Sequence, residues 1–240
     1  MQPRFVGRLG LADAVTVTNA FLGFLATVAV LVDVQLAARL ILVAAIADGL
    51  DGVVARRFGS TPAGKYLDSL ADVASFAVAP ALLVFVLTRE SWGLTLHSLS
   101  AATVVAVLVP GLFVAMAVTR LGLYTAYDVT DDQTEGVQTT LAATIVATAV
   151  LAGLHHVALL LVLTAFFAFT MVTTVVYPDL YVRDALVMGV VQALALIVPS
   201  AFQRLFPRLL LVFAMAYLLF SPRFYWRDSI RASGVEGKRS

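Results

Sequence analysis

Long apolar runs separated by short polar breaks dominate the chain. They predict eight helical spans, at roughly 14–33, 36–57, 64–88, 97–120, 137–154, 157–177, 184–201 and 208–222. Each is close to the ~20 residues a helix needs to cross a bilayer, with the fifth and seventh on the short side. Pro62, flanked by Gly59 and Gly64, breaks the helical pattern between the second and third spans. Residues 1–13 carry Arg4, Arg8 and Asp13 among Phe5, Val6, Leu9 and Leu11, the pattern of a short interfacial helix and not of a cleavable signal peptide. The expected organisation is an interfacial N-terminal helix over 1–13, a transmembrane domain over 14–222 that carries the chemistry, and a basic flexible tail over 223–240.

Composition turns this pattern into a class. The 240 residues are 61% hydrophobic and 13% charged, and the mean hydropathy is +0.95. Those values exclude an ordinary soluble domain and indicate an all-α integral membrane protein. Zero cysteines exclude disulfides and thiolate metal sites. With both termini in the cytoplasm, twelve basic residues fall on that side: Arg4, Arg8, Arg56, Arg57, Lys65, Arg120, Arg183, Arg223, Arg227, Arg231, Lys238 and Arg239. Four fall opposite: Arg39, Arg89, Arg204 and Arg208. The positive-inside rule therefore predicts a multi-pass cell-membrane protein with termini inside. No nucleic-acid partner is expected.

The chemistry concentrates in residues 48–72, DGLDGVVARRFGSTPAGKYLDSLAD. Asp48 and Asp51 lie at i, i+3 on one span, and Asp68 and Asp72 at i, i+4 on the next. Charged side chains inside apolar spans are expensive and mark functional sites. On a helix, Asp48, Asp51 or Gly52, and Ala55 share a face, as do Gly64, Asp68 and Asp72. Carboxylates beside residues with little side chain suit a phosphate-bearing ligand lying against backbone while divalent cations hold its charge. An all-carboxylate donor set favours Mg2+ or Mn2+.

The run Asp48-x2-Asp51-Gly52-x2-Ala55-Arg56, then Gly64-x3-Asp68-x3-Asp72, resembles the motif of the CDP-alcohol phosphotransferases, membrane enzymes that displace CMP from a CDP-linked lipid or alcohol with a second alcohol. One departure stands out: seven residues, 57–63, separate Arg56 from Gly64 where the usual pattern has eight. The missing residue falls in the turn between helices. The resemblance implies the fold of that family and two Mg2+ or Mn2+ ions. It makes Asp48, Asp51, Asp68 and Asp72 the metal ligands, with Asp72 also the general base on the incoming hydroxyl. It further implies close nucleotide approach at Gly52, Ala55 and Gly64, a phosphate contact at Arg56, and cytidine contacts at Thr16 and Asn19 near the cytoplasmic end of the first span. For Arg56 a topology anchor, and for Thr16 and Asn19 ordinary interhelical polar contacts, are the competing readings.

For the acceptor, the form DSLAD-x-x-SF-x-VAPA around Asp68 and Asp72 is similar to the phosphatidylserine synthases of bacteria and archaea. Family members that use glycerol phosphate typically carry proline and lysine where this chain has Ser69 and Val73. A looser likeness surrounds Arg120 and residues 136–140. The resemblance thus implies transfer from CDP-diacylglycerol or CDP-archaeol to L-serine, with Arg120 pairing the serine carboxylate and Gln138, Thr139 or Thr140 hydrogen-bonding nearby. Arg120 as a positive-inside anchor is the alternative. Other acceptors within the family (inositol phosphate, glycerol phosphate, a choline-type alcohol) remain open, and the resemblance also allows a homodimer. A divalent-cation transporter is the remote rival; transporters place ions near the midplane on broken helices within repeats, whereas these carboxylates lie toward one membrane face. Asp128, Asp131, Asp132 and Glu135 read as a solvated acidic loop. His97, His155 and His156 read as interfacial residues far from the chemistry, and Trp92, Tyr177 and Trp226 as interfacial aromatics.

Overall fold

A computed structural model of the chain describes residues 7–95, 97, 100–128, 133–154, 156–178 and 182–224. Residues 1–6 and 225–240, the latter including Trp226 and most of the expected tail, lie outside them, as do His155, Asp131 and Asp132. Among the described residues helices α1 (Leu11–Ala29) and α2 (Val34–Phe58) are followed by a rod of α3 (Gly64–Asp72), a π-helical segment π1 (Val73–Val78) and α4 (Ala79–Trp92). Next come α5 (Ala101–Leu123), which continues into a second π-helical segment π2 (Tyr124–Asp128), then α6 (Thr139–Leu151), α7 (Val157–Thr170), α8 (Val182–Ile197) and α9 (Ala201–Phe224). By length and composition four rods can cross a membrane: Leu11–Ala29, Gly64–Trp92, Ala101–Tyr127 and Ala201–Arg223. The helix α2 is long enough too, but Arg39, Asp48, Asp51, Arg56 and Arg57 interrupt its apolar character. The protein is a mostly helical membrane protein.

Two features depart from the expected pattern. The first helix starts at Leu11, so Leu11–Asp13 join the first span instead of the preceding segment. A short antiparallel sheet also pairs β1 (Gln133–Glu135) with β2 (Val176–Pro178), in the register Thr134↔Tyr177. Tyr177, expected in an interfacial belt, is buried there against Tyr217, with ring centroids 6.5 Å apart. The Tyr217 hydroxyl donates to the Pro178 carbonyl at 2.6 Å, which ties the sheet to α9. Hydrophobicity favoured a belt because it cannot distinguish burial in lipid from burial in protein.

The shortness of α6 has a simple cause. Its 13 residues span about 20 Å at 1.5 Å each, less than the ~30 Å hydrocarbon core. Every residue from Leu141 to Leu151 is buried, so α6 is a central helix walled by its neighbours and need not reach both interfaces. Outward faces are apolar instead, with Leu108 and Leu112 on α5 and Val162 and Phe169 on α7 exposed.

Helix ends are stopped locally. Asp33 accepts from the Gln35 amide at 2.8 Å to cap α2. Gly93, in the left-handed region, ends α4, and Ser100 caps α5. At the crossing of α1 on π1, a Cβ on Gly23 would meet the Ser75 backbone at 2.7 Å. The Ser75 hydroxyl donates to the Asn19 carbonyl at 2.8 Å across the same contact. This close approach sets α1 against the rod that carries Asp68 and Asp72. Gly23→Ala should therefore lower the melting temperature in detergent, corresponding to about 1–3 kcal/mol. Gly111→Ala, with open space where the Cβ would go, should leave it unchanged or slightly raised; equal shifts would contradict the assigned crossing.

Candidate active site

All the residues singled out for chemistry sit at one end of the helix bundle. The C-terminal turns of α2 and α5 meet the N-terminal turns of α1, α3 and α6 there. Asp48, Asp68 and Asp72 converge, each offering a carboxylate oxygen within 4.8 Å of the others. Thr140 donates to Asp48 Oδ2 at 3.2 Å, linking the cluster to α6. Asp72 is buried, and its Oδ1 has no hydrogen-bond partner. Buried polar atoms are seldom left unsatisfied without a functional reason. An orphaned carboxylate oxygen among three clustered carboxylates fits a hard divalent cation, and the all-oxygen donor set suits Mg2+ or Mn2+.

Asp51 stands apart from that trio. It is buried and accepts from the Thr16 hydroxyl at 2.8 Å, so Thr16 and Asp51 bind α1 to α2. Both line a cleft of about 400 Å³ with Gly52, Ala55, Gly64 and Asp68. Five expected nucleotide-side positions are thus placed as follows. Thr16, Gly52, Ala55 and Gly64 line the cleft, and Arg56 is exposed, with a guanidinium nitrogen 3.5 Å from where a Gly52 Cβ would lie. Asn19 behaves differently: it is fully buried one turn deeper on α1, and its side-chain oxygen and nitrogen are both unpaired.

Asp13 also belongs to this cleft, and sequence reasoning left it with the N-terminal segment. It is buried, and its Oδ2 accepts from the Gly10 amide at 2.7 Å and from the Thr61 hydroxyl at 2.9 Å. The bond to Thr61 fastens the turn between α2 and α3, residues 59–63, to α1. The N-terminal capping position was the available signal, since an acid in the first helical turn is a capping residue before it is a surface charge.

On the other side of Asp68 lies a smaller cavity of about 170 Å³, lined by Asp48, Asp68, Asp72, Arg120, Leu121, Tyr124, Thr134, Gln138, Thr139 and Thr140. The predicted acceptor residues Arg120, Gln138, Thr139 and Thr140 are therefore together, beside the carboxylates. Arg120 is buried, and its guanidinium carbon lies 5.8 Å from the centroid of the Tyr124 ring. Gly136 (φ 75) makes the turn that delivers Gln138 to the N-terminus of α6, because a side chain there would collide with the Met171 carbonyl. Thr134 was missed: it is buried in β1, inside a stretch whose charge suggested a solvated loop. Glu135 beside it is exposed as expected, as are His97 and His156.

The clustered carboxylates generate a thermal prediction. Without divalent cations, Asp68→Asn should raise the melting temperature, because one of three mutually repelling charges is removed. Manganese should stabilise the native chain strongly and the variant weakly. An equal manganese response in both would show that the cluster does not hold the ion.

Comparison with known proteins agrees with this geometry. Residues 9–176 match the family model described as CDP-alcohol phosphatidyltransferase. The chain is 42% identical over 82 residues to archaetidylserine synthase of Methanothermobacter thermautotrophicus, covering 32% of this chain and 35% of that one. It is 44% identical over 86 residues to CDP-diacylglycerol–serine O-phosphatidyltransferase of Saccharomyces cerevisiae, covering 32% and 31%. With the enzyme of the same name from Mycobacterium tuberculosis it shares 47% over 57 residues, covering 23% and 20%. The aligned segments thus span about a third or less of those relatives' lengths. With the family model matched over most of its length and the aspartate motif gathered at one end of the bundle, the chain belongs to the CDP-alcohol phosphatidyltransferase family.

Proposed function

We propose that the protein transfers a phosphatidyl or archaetidyl group from a CDP-linked lipid to the hydroxyl of L-serine, releasing CMP on the cytoplasmic face of the membrane. The observation that carries this is the pair of cavities that meet at Asp68: a longer cleft lined by small residues, and a compact one with a buried arginine. The first suits a nucleotide diphosphate and the second a small alcohol. The lining of the second, with carboxylates, Arg120, Gln138 and three threonines, suits the carboxylate, ammonium and hydroxyl of serine. Relatives named for serine transfer support the same acceptor.

Asp48, Asp68 and Asp72, with Asp51 at the edge of the nucleotide cleft, would hold two divalent cations. Bound there, such ions would neutralise the diphosphate and stabilise the leaving oxygen of CMP. The chain's own groups do the rest. Gly52, Ala55 and Gly64 leave the cleft open for the nucleotide, and Arg56 meets a phosphate. Arg120 pairs the serine carboxylate, and Gln138 and Thr139 orient the amino acid. The serine oxygen attacks the lipid-side phosphorus as its proton passes to the Asp72 carboxylate. The bond from that phosphorus to the CMP oxygen breaks, and CMP leaves with the electron pair. A carboxylate is a weak base for an alcohol, so positioning supplies most of the activation.

CMP release by purified protein, with manganese or magnesium and a CDP-lipid, should appear with L-serine and not with inositol phosphate, glycerol phosphate or no acceptor. Release with another alcohol would keep the family chemistry and discard the acceptor. Asp72→Asn should lower kcat by about 10²-fold or more while CDP-lipid binding persists; a near-normal rate would remove Asp72 as the base. Arg120→Ala should raise the serine KM well above the CDP-lipid KM change, and proportional changes in both would contradict carboxylate pairing.

A further inference from the structure

Two π-helical segments flank the compact cavity, and neither was visible in the sequence. The first, π1, begins immediately after Asp72, and π2 begins one turn after Arg120. Such turns occur frequently at functional sites because they re-aim side chains within a helix. A side-chain hydrogen bond joins the rod bearing the carboxylates to the end of α5 that bears Arg120: the hydroxyls of Ser69 and Thr125 are hydrogen-bonded to each other. The Thr125 hydroxyl donates to the Leu121 carbonyl at 2.7 Å. A hydroxyl has one proton to give, so Ser69 is the donor to Thr125. The chain of bonds therefore runs Ser69 to Thr125 to Leu121, and Leu121 itself lines the compact cavity.

The pair does not touch that cavity. On α3, Asp68 and Asp72 face it, whereas Ser69 faces an outer opening of about 500 Å³. On α5 and π2, Arg120, Leu121 and Tyr124 face the cavity, whereas Thr125 faces the same outer opening. Ser69 and Thr125 close the seam between the two helices just outside the acceptor cavity.

We infer that Ser69 and Thr125 form a positioning clamp that sets the width of the acceptor cavity and so restricts the enzyme to a small alcohol. The clamp rests on the acceptor site proposed above, and it acts on substrate choice and not on the chemical step. Loss of the bond lets the C-terminal end of α5 move from α3. The small acceptor is then held less well, while the nucleotide cleft on the far side of Asp68 is unaffected.

Steady-state kinetics of CMP release test the clamp. Thr125→Val keeps the shape and removes the hydroxyl; it should raise the serine KM about three- to tenfold, the fold-change of one lost hydrogen bond, with the CDP-lipid KM and kcat within about twofold. Ser69→Ala should do the same, and the double variant should be no worse than either single one. Thr125→Ser should restore the native KM, and Thr125→Val should accept a bulkier hydroxy amino acid, such as homoserine, better relative to serine. Unchanged serine KM in both single variants, additive losses in the double, or equal increases in both substrates' KM would overturn the clamp. Native protein that uses a different alcohol would refute serine as acceptor and leave the clamp to be scored on that alcohol's KM.

Discussion

Carboxylates of Asp48, Asp68 and Asp72 held within 4.8 Å of one another are a constraint that the rest of this end of the fold must satisfy. Like charges at that separation repel, and the apolar surroundings of a membrane bundle screen them poorly. Two consecutive helices bring them together across the turn at residues 59–63, α2 carrying one and α3 the other two. The neighbouring contacts hold those helices in place. Thr140 anchors Asp48 from α6, and Thr16 anchors Asp51 from α1. Gly23 lets α1 press against π1, and Asp13 with Thr61 ties the connecting turn to α1.

Asp68 borders both cavities, so in the proposed reaction the two substrates would meet at one set of carboxylates without sharing a binding surface. The nucleotide side is made from α1, α2 and the start of α3, whose small residues leave room against the backbone. The acceptor side is made from α3, α5, β1 and the N-terminus of α6, and it is compact and polar. The N-terminus of α6 lines the compact cavity, and its body is buried among the other helices. The short sheet of β1 and β2 closes this side by holding Thr134 at the cavity wall.

The apolar pattern revealed the helical rods and nearly all their order, since burial in lipid and burial in protein both select long apolar runs. The aspartate motif pointed to the end of the bundle that holds the candidate site, because charge inside such runs is too costly to keep unless a site uses it. Arg120, Gln138 and Thr139 were found by resemblance to a looser segment, and the fold brings them beside the carboxylates. Thr134 and Tyr177 were misjudged for opposite reasons. The acidic neighbours of Thr134 suggested solvent, and the aromatic ring of Tyr177 suggested an interface, while both are buried by a three-residue strand pairing too short to leave a periodic signal. The π-helical segments and the Ser69–Thr125 bond were invisible because they depend on where two distant helices cross.

Anomalous diffraction from crystals grown with manganese and a CDP-lipid tests the central claim most directly. A manganese peak within bonding reach of Asp48, Asp68 and Asp72, with the diphosphate beside it and the cytidine in the cleft lined by Thr16, Gly52 and Ala55, is the expected result. Manganese located elsewhere, or a nucleotide bound with no ion at the three carboxylates, would contradict it.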